Sequence, residues 1–193
     1  MASNRRMGPR DSETSNLLLD ATEQVMRKEG YAAVSSRRVA EEAGVKQPLV
    51  YYYFHTIDDL LLAAFRRRTE RGYERIRKDL ASDRPIRALW DDMSHRADPR
   101  LTFEYMALAN HHDGIRAEVA KFVGETRRMQ TEALSRRLGN SDMGNPNLTP
   151  AALSFLFTGI SLMLEREVTA GITSGHEDVR ALIEQLLERI DPA

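Results

Sequence analysis

The sequence predicts an all-α protein of about nine helices, divided between an N-terminal three-helix domain and a larger helical domain. Apolar residues recur at helical spacing along most of the chain, and no segment shows the sustained apolar–polar alternation of a half-buried strand. Capping residues precede several of the helical segments. Thr149-Pro150, for example, combines an N-cap hydroxyl with a proline suited to the first helical position.

The first 80 residues are expected to form a basic arm and four helices. Gly30 stops the first helix, and Thr56 with Asp59 three residues later resembles a capping box that opens the long fourth helix. The expected segments are, in order, a flexible arm at 1–11, a helix from Ser12 or Glu13 to residue 30, two short helices on either side of a turn at 43–45, and a helix at 56–80.

The rest of the chain is expected to form five more helices. Asn, Gly, Pro and Ser concentrate at 140–148, which predicts a loop there. The apolar residues of the last helix are spaced 3, 1, 3, 1, 3, so that one face is entirely apolar. The expected helices are at 85–93, 100–110, 113–139, 150–169 and 177–190.

Composition and charge are those of a globular protein. The 193 residues are 41% hydrophobic and 30% charged, which argues against global disorder. The absence of cysteine excludes disulfides, thiolate nucleophiles and cysteine-based zinc sites. No apolar run is long enough to cross a bilayer, and the basic N-terminus lacks the apolar core of a signal peptide, so a cytoplasmic location is expected. The net charge is −1, with a slight basic excess in residues 1–80.

Residues 36–53 carry the features of a helix-turn-helix. Two short helices that cross steeply need a small residue where their backbones approach, which Ala40 provides, and a turn residue that tolerates positive φ, which Gly44 provides. The inward apolar residues expected to hold the angle are Val39, Ala43, Val45 and Val50. The outward positions include side chains that hydrogen-bond to bases or phosphates. The pattern favours DNA binding, although glycine-hinged helical hairpins also occur in proteins that bind nothing.

The N-terminal segment resembles that of TetR-like (TetR/AcrR) transcriptional regulators over about residues 14–65. The resemblance rests on Gly30-Tyr31, on VAEEAGV at 39–45, on VYYYF at 50–54 and on Asp58-Asp59-Leu60. It implies a homodimer of nine- or ten-helix chains, with a DNA-binding domain at 12–56 and a ligand-binding and dimerisation domain at 57–193. One position departs from the family pattern, because Ile57 stands where the family usually has a lysine that supports phosphate binding.

The resemblance also implies roles in DNA contact for eight residues of the motif. Ser36 and Tyr51 are expected to contact phosphates, as is Lys46 at the start of the second helix of the motif. Tyr52 is expected to contact a phosphate or a thymine methyl group. The expected base-contacting residues are Arg37, Gln47, Pro48 and Leu49.

Other residues near the motif have alternative roles that the sequence leaves open. Tyr53 and Phe54 are expected in the core, and Arg38 is expected to be solvated. The arm arginines either enter a minor groove, neutralise backbone charge or have no role in binding. They are Arg5, Arg6 and Arg10.

A dimer is expected because one helix-turn-helix makes few base contacts, and such modules usually bind two half-sites about 34–36 Å apart. Residues 150–164 are apolar nearly all round, whereas a helix at the edge of a monomer has a polar face. Together with the last helix, this segment predicts a four-helix interface, unless both helices are buried within one subunit. The candidate interface residues are Phe155, Phe157, Met163, Leu182 and Leu186.

Aromatic and methionine side chains recur in the middle helices, which is typical of a pocket for an apolar or aromatic ligand. The alternative for each of these residues is a place in the ordinary core. We expect a repressor that binds a palindromic operator and is released when a small effector favours a dimer with displaced DNA-binding domains. The candidate pocket residues are Trp90, Met93, Phe103, Met106, His111, Phe122 and Met129.

Two other classes of function have less support in the sequence. No nucleophile elbow, phosphate-binding loop or dinucleotide fingerprint occurs, so no enzyme, catalytic residue, cofactor or metal site is predicted. The adjacent His111 and His112 do not converge on one metal ion. The second alternative is a protein-interaction module with Leu49, Tyr51 and Tyr52 as a docking patch. Unlike DNA binding, such docking would depend little on salt.

Overall fold

The computed structural model describes residues 12–96, 98–139 and 147–192. Within these ranges the protein contains nine α-helices and no strand, which confirms the predicted fold class. A 3₁₀ helix (Tyr31–Ala33) joins the first two helices, and a π-helical turn (Asp92–Arg96) follows the fifth. The helices are α1 (Glu13–Glu29), α2 (Ser36–Glu42), α3 (Gln47–Tyr53), α4 (Ile57–Leu80), α5 (Pro85–Asp91), α6 (Pro99–Ala109), α7 (Asp113–Leu138), α8 (Pro150–Thr169) and α9 (His176–Ile190).

The helix boundaries follow the capping residues of the sequence. Ser12 caps α1, because its hydroxyl accepts the Ser15 N–H at 3.2 Å, and Gly30 ends the helix with a φ of 85°. Thr56 and Asp59 form the expected capping box. Thr56 Oγ1 accepts the Asp59 N–H at 3.0 Å, and Asp59 Oδ2 accepts the Thr56 N–H at 3.1 Å. The predicted arm and most of the predicted loop at 140–148 lie outside the described residues.

The chain forms two compact units. Unit 1 contains α1, α2, α3, α4 as far as Glu70, and Arg100–Ala120. Unit 2 contains Arg71–Pro99 and the described residues from Lys121 onward. This division differs from the boundary predicted between residues 56 and 57, because α4 and α6 supply part of the core of unit 1.

The first apolar cluster of unit 1 holds the three N-terminal helices against α4. Leu18 of α1, Val39 of α2, Val50 of α3 and Leu60 of α4 are each at most 1% exposed. Burying a side chain of this size stabilises a fold by about 1.5–3 kcal/mol. These contacts therefore fix the angle between α2 and α3. Phe54, at 4% exposed, is in the same cluster, as expected.

The second cluster of unit 1 packs α1, α4, α6 and the start of α7 together. At its centre the rings of Phe65 and Tyr105 lie 4.8 Å apart. Burial raises the pKa of the Tyr105 phenol far above its ordinary value, so this hydroxyl stays neutral. Three consecutive arginines of α4 have partners in the same unit: Arg66 pairs with Glu118, Arg67 with Asp20 and Glu23, and Arg68 with Thr102.

Unit 2 is built around Trp90, whose ring lies 6.0 Å from that of Phe157. Helices α5, α7, α8 and α9 all contribute to the surrounding cluster. Phe157 is 3% exposed, which places it in the core instead of at the predicted subunit interface. Residues two apart on a helix point in nearly opposite directions, and its neighbour Phe155 is the exposed one, at 61%.

One further feature of unit 2 corrects a predicted helix boundary. The helix predicted to run from Pro85 through Met93 is α-helical only to Asp91, and Met93 lies in the π-helical turn that follows. Among the helices that the structure describes, none is both long and apolar enough to cross a membrane.

Candidate DNA-binding site

The turn between α2 and α3 has the geometry that the sequence predicts. Gly44 has a φ of +66°, in the left-handed region that other residues rarely adopt. The turn is closed by the Val45 N–H, which donates to the Ala40 carbonyl at 2.9 Å. Ala40 is 3% exposed, Val39 and Val50 are buried as expected, and Val45 is half-buried. The inward side of the motif therefore holds the two short helices rigidly together.

The opposite side of the motif is open to solvent. We call it the exposed edge, and it contains six of the eight residues expected to contact DNA. Of the other two, Leu49 is half-buried, and Ser36 is buried at 5% exposure. The exposed edge consists of Arg37, Lys46, Gln47, Pro48, Tyr51 and Tyr52.

A hydrogen-bonded chain connects α2 to two residues of the exposed edge. Gln47 Nε2 donates to Ser36 Oγ at 2.8 Å, and Ser36 Oγ donates to Tyr51 Oη at 2.9 Å. Gln47 and Tyr51 are four residues apart on α3 and so share one face of that helix. Tyr52 packs edge-on against Tyr53, with ring centroids 5.1 Å apart. Gln47, Tyr51 and Tyr52 are therefore each held by a contact within the motif.

Arg38 is not the solvated side chain that the sequence suggested. Its guanidinium lies 2.6 Å from a Glu29 carboxylate oxygen and 2.7 Å from one of Glu42, while Lys28 also pairs with Glu42 at 2.7 Å. Hydrogen bonds from Lys28 and Arg38 lower the pKa of Glu42. The cluster ties the end of α1 to α2 and so positions the motif. Arg37 remains on the exposed edge, where it pairs with Glu41 one turn away.

Ile57, which stands where the family usually has a lysine, is the first residue of α4. It is half-buried and packs against both apolar clusters of unit 1. The arginines at 66–68 pair within the same unit, as described above. The structure therefore shows no replacement from this run for the positive charge that Ile57 lacks.

Two polar contacts near the motif were not predicted from the sequence. Glu104 of α6 accepts the Tyr31 N–H at 2.7 Å, and a Cβ on Gly30 would meet this carboxylate at 3.4 Å. His112 caps α7, because its Nδ1 accepts the Ile115 N–H at 3.2 Å. Its role is therefore structural, and the described residues include no group of three side chains suited to hold a metal ion. The contact between Glu104 and the Tyr31 N–H had one signal in the sequence, Gly30, which does not show that Glu104 is the partner.

The residues expected to line an effector pocket are divided between the two units. Phe103, Met106 and His111 belong to unit 1, where Met106 is 46% exposed and His111 is exposed. The others belong to unit 2, where Trp90 is in the core. Those others are Trp90, Met93, Phe122 and Met129.

Unit 1 also contains a cavity of about 250 Å³ between α1, the end of α3 and α4. Its lining includes Leu19, Tyr53, His55, Leu62 and Arg67. This cavity shares no residue with the predicted effector pocket.

Similar proteins were found by sequence and by structure. Residues 18–64 match the family model described as bacterial regulatory proteins, tetR family. The fatty acid metabolism regulator protein of Bacillus subtilis (strain 168) is 29% identical over 63 residues, which is 33% of this chain and 32% of that relative's length. A candidate transcriptional regulator of Streptomyces coelicolor A3(2) is 28% identical, with a TM-score of 0.64 over 94% of this chain and 100% of the other. A TetR transcription regulator of Haloarcula marismortui ATCC 43049 shares the fold, with 19% identity and a TM-score of 0.72 over 93% and 98% of the two chains.

A glycine-hinged pair of short helices with an exposed polar and aromatic edge, in a chain whose described part is otherwise helical, defines a helix-turn-helix protein. Residues 18–64 match the tetR family model and the fold is that of the matched regulators, so the chain is similar to TetR-like transcriptional regulators, as the sequence predicts. The matched proteins are named as regulators and not as enzymes.

Proposed function

We propose that this protein is a cytoplasmic, ligand-responsive repressor that binds a palindromic DNA operator as a homodimer. The observation that carries the proposal is the exposed edge, which lies above a rigid hinge at Gly44. Bases in the major groove are recognised by donors and acceptors on a helix that fits the groove. Helix α3 has seven residues and carries such groups on one side.

The proposed division of roles follows the chemistry of the exposed edge. Arg37 and Gln47, with Pro48 and the half-buried Leu49, contact base edges, because they carry donors, acceptors and apolar groups at the start of the motif's helices. Three other side chains contact phosphates. These contacts depend little on the base sequence of the DNA, and they fix the position of α3 in the groove. These are Lys46, Tyr51 and Tyr52.

A second copy of the chain is the proposed occupant of an apolar face on α8 and α9. Phe155 and Met163 are 61% and 57% exposed, and they lie two turns apart on one side of α8 with the exposed Gly159 between them. On α9, Leu182 is 55% exposed. Exposed apolar residues grouped in this way are typical of interfaces, and a pair of motifs needs such an interface to bind two half-sites.

The proposed effector is a small apolar or aromatic molecule. Its support is the set of aromatic and methionine side chains described above, whose adaptable shapes suit apolar ligands. An effector releases the operator only if it binds more tightly to a dimer with displaced motifs, and the operator must then weaken effector binding by the same factor. An effector that left operator affinity unchanged would contradict this mechanism.

Selection of bound sequences from random DNA tests the proposed function directly. We expect an inverted repeat, because the two motifs of a symmetric dimer contact two equivalent half-sites. Affinity for the selected site should fall steeply as salt rises, since phosphate contacts release counterions. A chain that showed no preference among duplexes even at low salt would contradict the proposal.

Two substitutions on α3 are expected to have different effects on DNA binding. Gln47→Ala should reduce discrimination at one base pair of each half-site by about 1–3 kcal/mol, because it removes a base contact. Tyr51→Phe should weaken binding to specific and scrambled duplexes alike, because it removes a phosphate contact. Affinities of both variants for a set of single-base operator variants provide the measurement. Equal losses by both variants on all duplexes would rule out this division of roles.

Replacing Ile57 with lysine is expected to strengthen DNA binding. The new charge at the start of α4 should add about one phosphate contact, which makes the slope of log affinity against log salt steeper by about 0.9. Ile57→Gln is the matched control, since it is polar but uncharged. The prediction is wrong if the slope is the same for both variants.

A further inference from the structure

We propose that Ser36 is a positioning residue for base recognition, whose buried hydroxyl orients the Gln47 amide so that it selects adenine. This inference rests on the proposed function and deepens it, because it specifies one base of the operator. It also assigns Ser36 a role beneath the exposed edge instead of a phosphate contact of its own.

The first observation is that the Ser36 hydroxyl is buried and hydrogen-bonded within the protein. The residue is 5% exposed at the first position of α2, and its hydroxyl is engaged on both sides within the protein. It accepts from Gln47 Nε2 at 2.8 Å and donates to Tyr51 Oη at 2.9 Å. Both distances are those of well-formed hydrogen bonds. Because its proton and one lone pair are both used within the protein, the Ser36 hydroxyl influences DNA binding through Gln47 and Tyr51.

The hydrogen bond to Ser36 orients the amide plane of Gln47. One Nε2 hydrogen is donated to Ser36, whose own proton goes to Tyr51. A rotation that exchanges the oxygen and nitrogen of the amide would therefore place Oε1 against a lone pair of the Ser36 hydroxyl, unless the Ser36–Tyr51 bond also reversed. Within the described residues, Gln47 Oε1 and the second Nε2 hydrogen have no partner in the protein. One acceptor and one donor in a fixed arrangement match adenine, which accepts at N7 and donates from N6. An amide free to rotate would match other bases as well.

The consequence for Tyr51 concerns the direction of its hydroxyl proton. Because the phenol oxygen accepts from Ser36, its own proton points away from that bond and is available to a phosphate. A donor that also accepts a hydrogen bond is polarised and donates more strongly. The same serine therefore supports a base contact and a backbone contact on one face of α3.

The experiment compares the base preferences of full-length variants on the operator selected by the wild type, with each position of the half-site randomised. The wild type should favour adenine at one position, and Gln47→Ala should abolish that preference. Ser36→Ala should lower the preference about fivefold at that position, leave the preferences elsewhere unchanged, and weaken all sites slightly. In the Gln47→Ala background, Ser36→Ala should cause no further change at that position.

Two further variants separate positioning from folding. Ser36→Cys keeps the size of the side chain but weakens its hydrogen bonds, so it should reproduce the loss if Ser36→Ala does not fold. Ser36→Thr keeps the hydroxyl and should retain the adenine preference. Melting temperatures of all variants show whether each is folded.

The possible results have distinct meanings. A wild type without sequence preference contradicts the proposed function itself. A selective wild type whose adenine preference survives Ser36→Ala and Ser36→Cys overturns only the positioning role. A loss that is uniform over all positions also overturns it and favours a direct phosphate contact by Ser36. A base other than adenine at the position that depends on Gln47 overturns the assigned amide orientation.

Discussion

Replacing Met163 with glutamate is expected to convert the proposed dimer into monomers and to lower affinity for a two-half-site operator by about 100-fold. Met163 is 57% exposed on the same side of α8 as Phe155. In a dimer interface the new carboxylate would be buried without a partner, which costs several kcal/mol. A monomer binds each half-site separately and loses the gain that comes from linking two motifs.

The measurement combines the molar mass in solution with affinity for one and for two half-sites. Affinity for a single half-site should change little, because α3 is unaltered. Met106→Glu is the matched control, since it makes the same change at a residue of α6 that is 46% exposed in unit 1. A Met163→Glu protein that stays dimeric and binds the operator like the wild type would show that this face is not the interface.

Replacing Asp191 with alanine is expected to destabilise unit 2 by about 3 kcal/mol. Asp191 follows α9 and is 0% exposed. Its Oδ2 accepts the N–H groups of Ile86 and Arg87 at 2.8 and 3.1 Å, and so caps the start of α5. Arg137 Nε lies 2.9 Å from Oδ1. Removing the carboxylate leaves two backbone donors without their acceptor and takes away the acidic partner of Arg137, which is more costly than losing an exposed pair.

Chemical denaturation measures this change, and Glu188→Ala provides the control. Glu188 lies in the same cluster and pairs with Arg84 and Arg87, but its side chain is 59% exposed. Exposed ion pairs contribute at most about 1 kcal/mol. We expect the loss for Asp191 to exceed that for Glu188 several-fold. Equal losses would mean that the capping of α5 by Asp191 adds nothing beyond a surface ion pair.

Most of the helix-turn-helix was predictable because its determinants are local. Gly44 is the residue that the turn requires, and the capping box of Thr56 and Asp59 involves residues three apart. The exposed edge follows from the helical period once α3 is placed. The burial of Ser36 was not predictable in this way, because its partners lie 11 and 15 residues further along the chain.

The assignment of α8 shows where a sequence pattern is ambiguous. Residues 150–164 are apolar nearly all round, so hydrophobicity alone does not tell which side faces the core and which faces a partner. Phe157 packs on Trp90 within unit 2, while Phe155 and Met163 are left exposed. The helical period places Phe155 and Phe157 on nearly opposite sides of α8, but it does not tell which of the two is buried.

The amino-acid sequence by itself determined the helical class, the order of the helices, their caps and the hinge at Gly44, because each of these depends on residues within one or two turns of one another. Only the tertiary structure decided that Ser36 joins Gln47 to Tyr51, that Arg38 links α1 to α2, and that Asp191 caps α5. The physical reason is that a buried hydroxyl or carboxylate takes its partners from whatever packing brings within 3 Å, and packing joins segments that are remote in sequence.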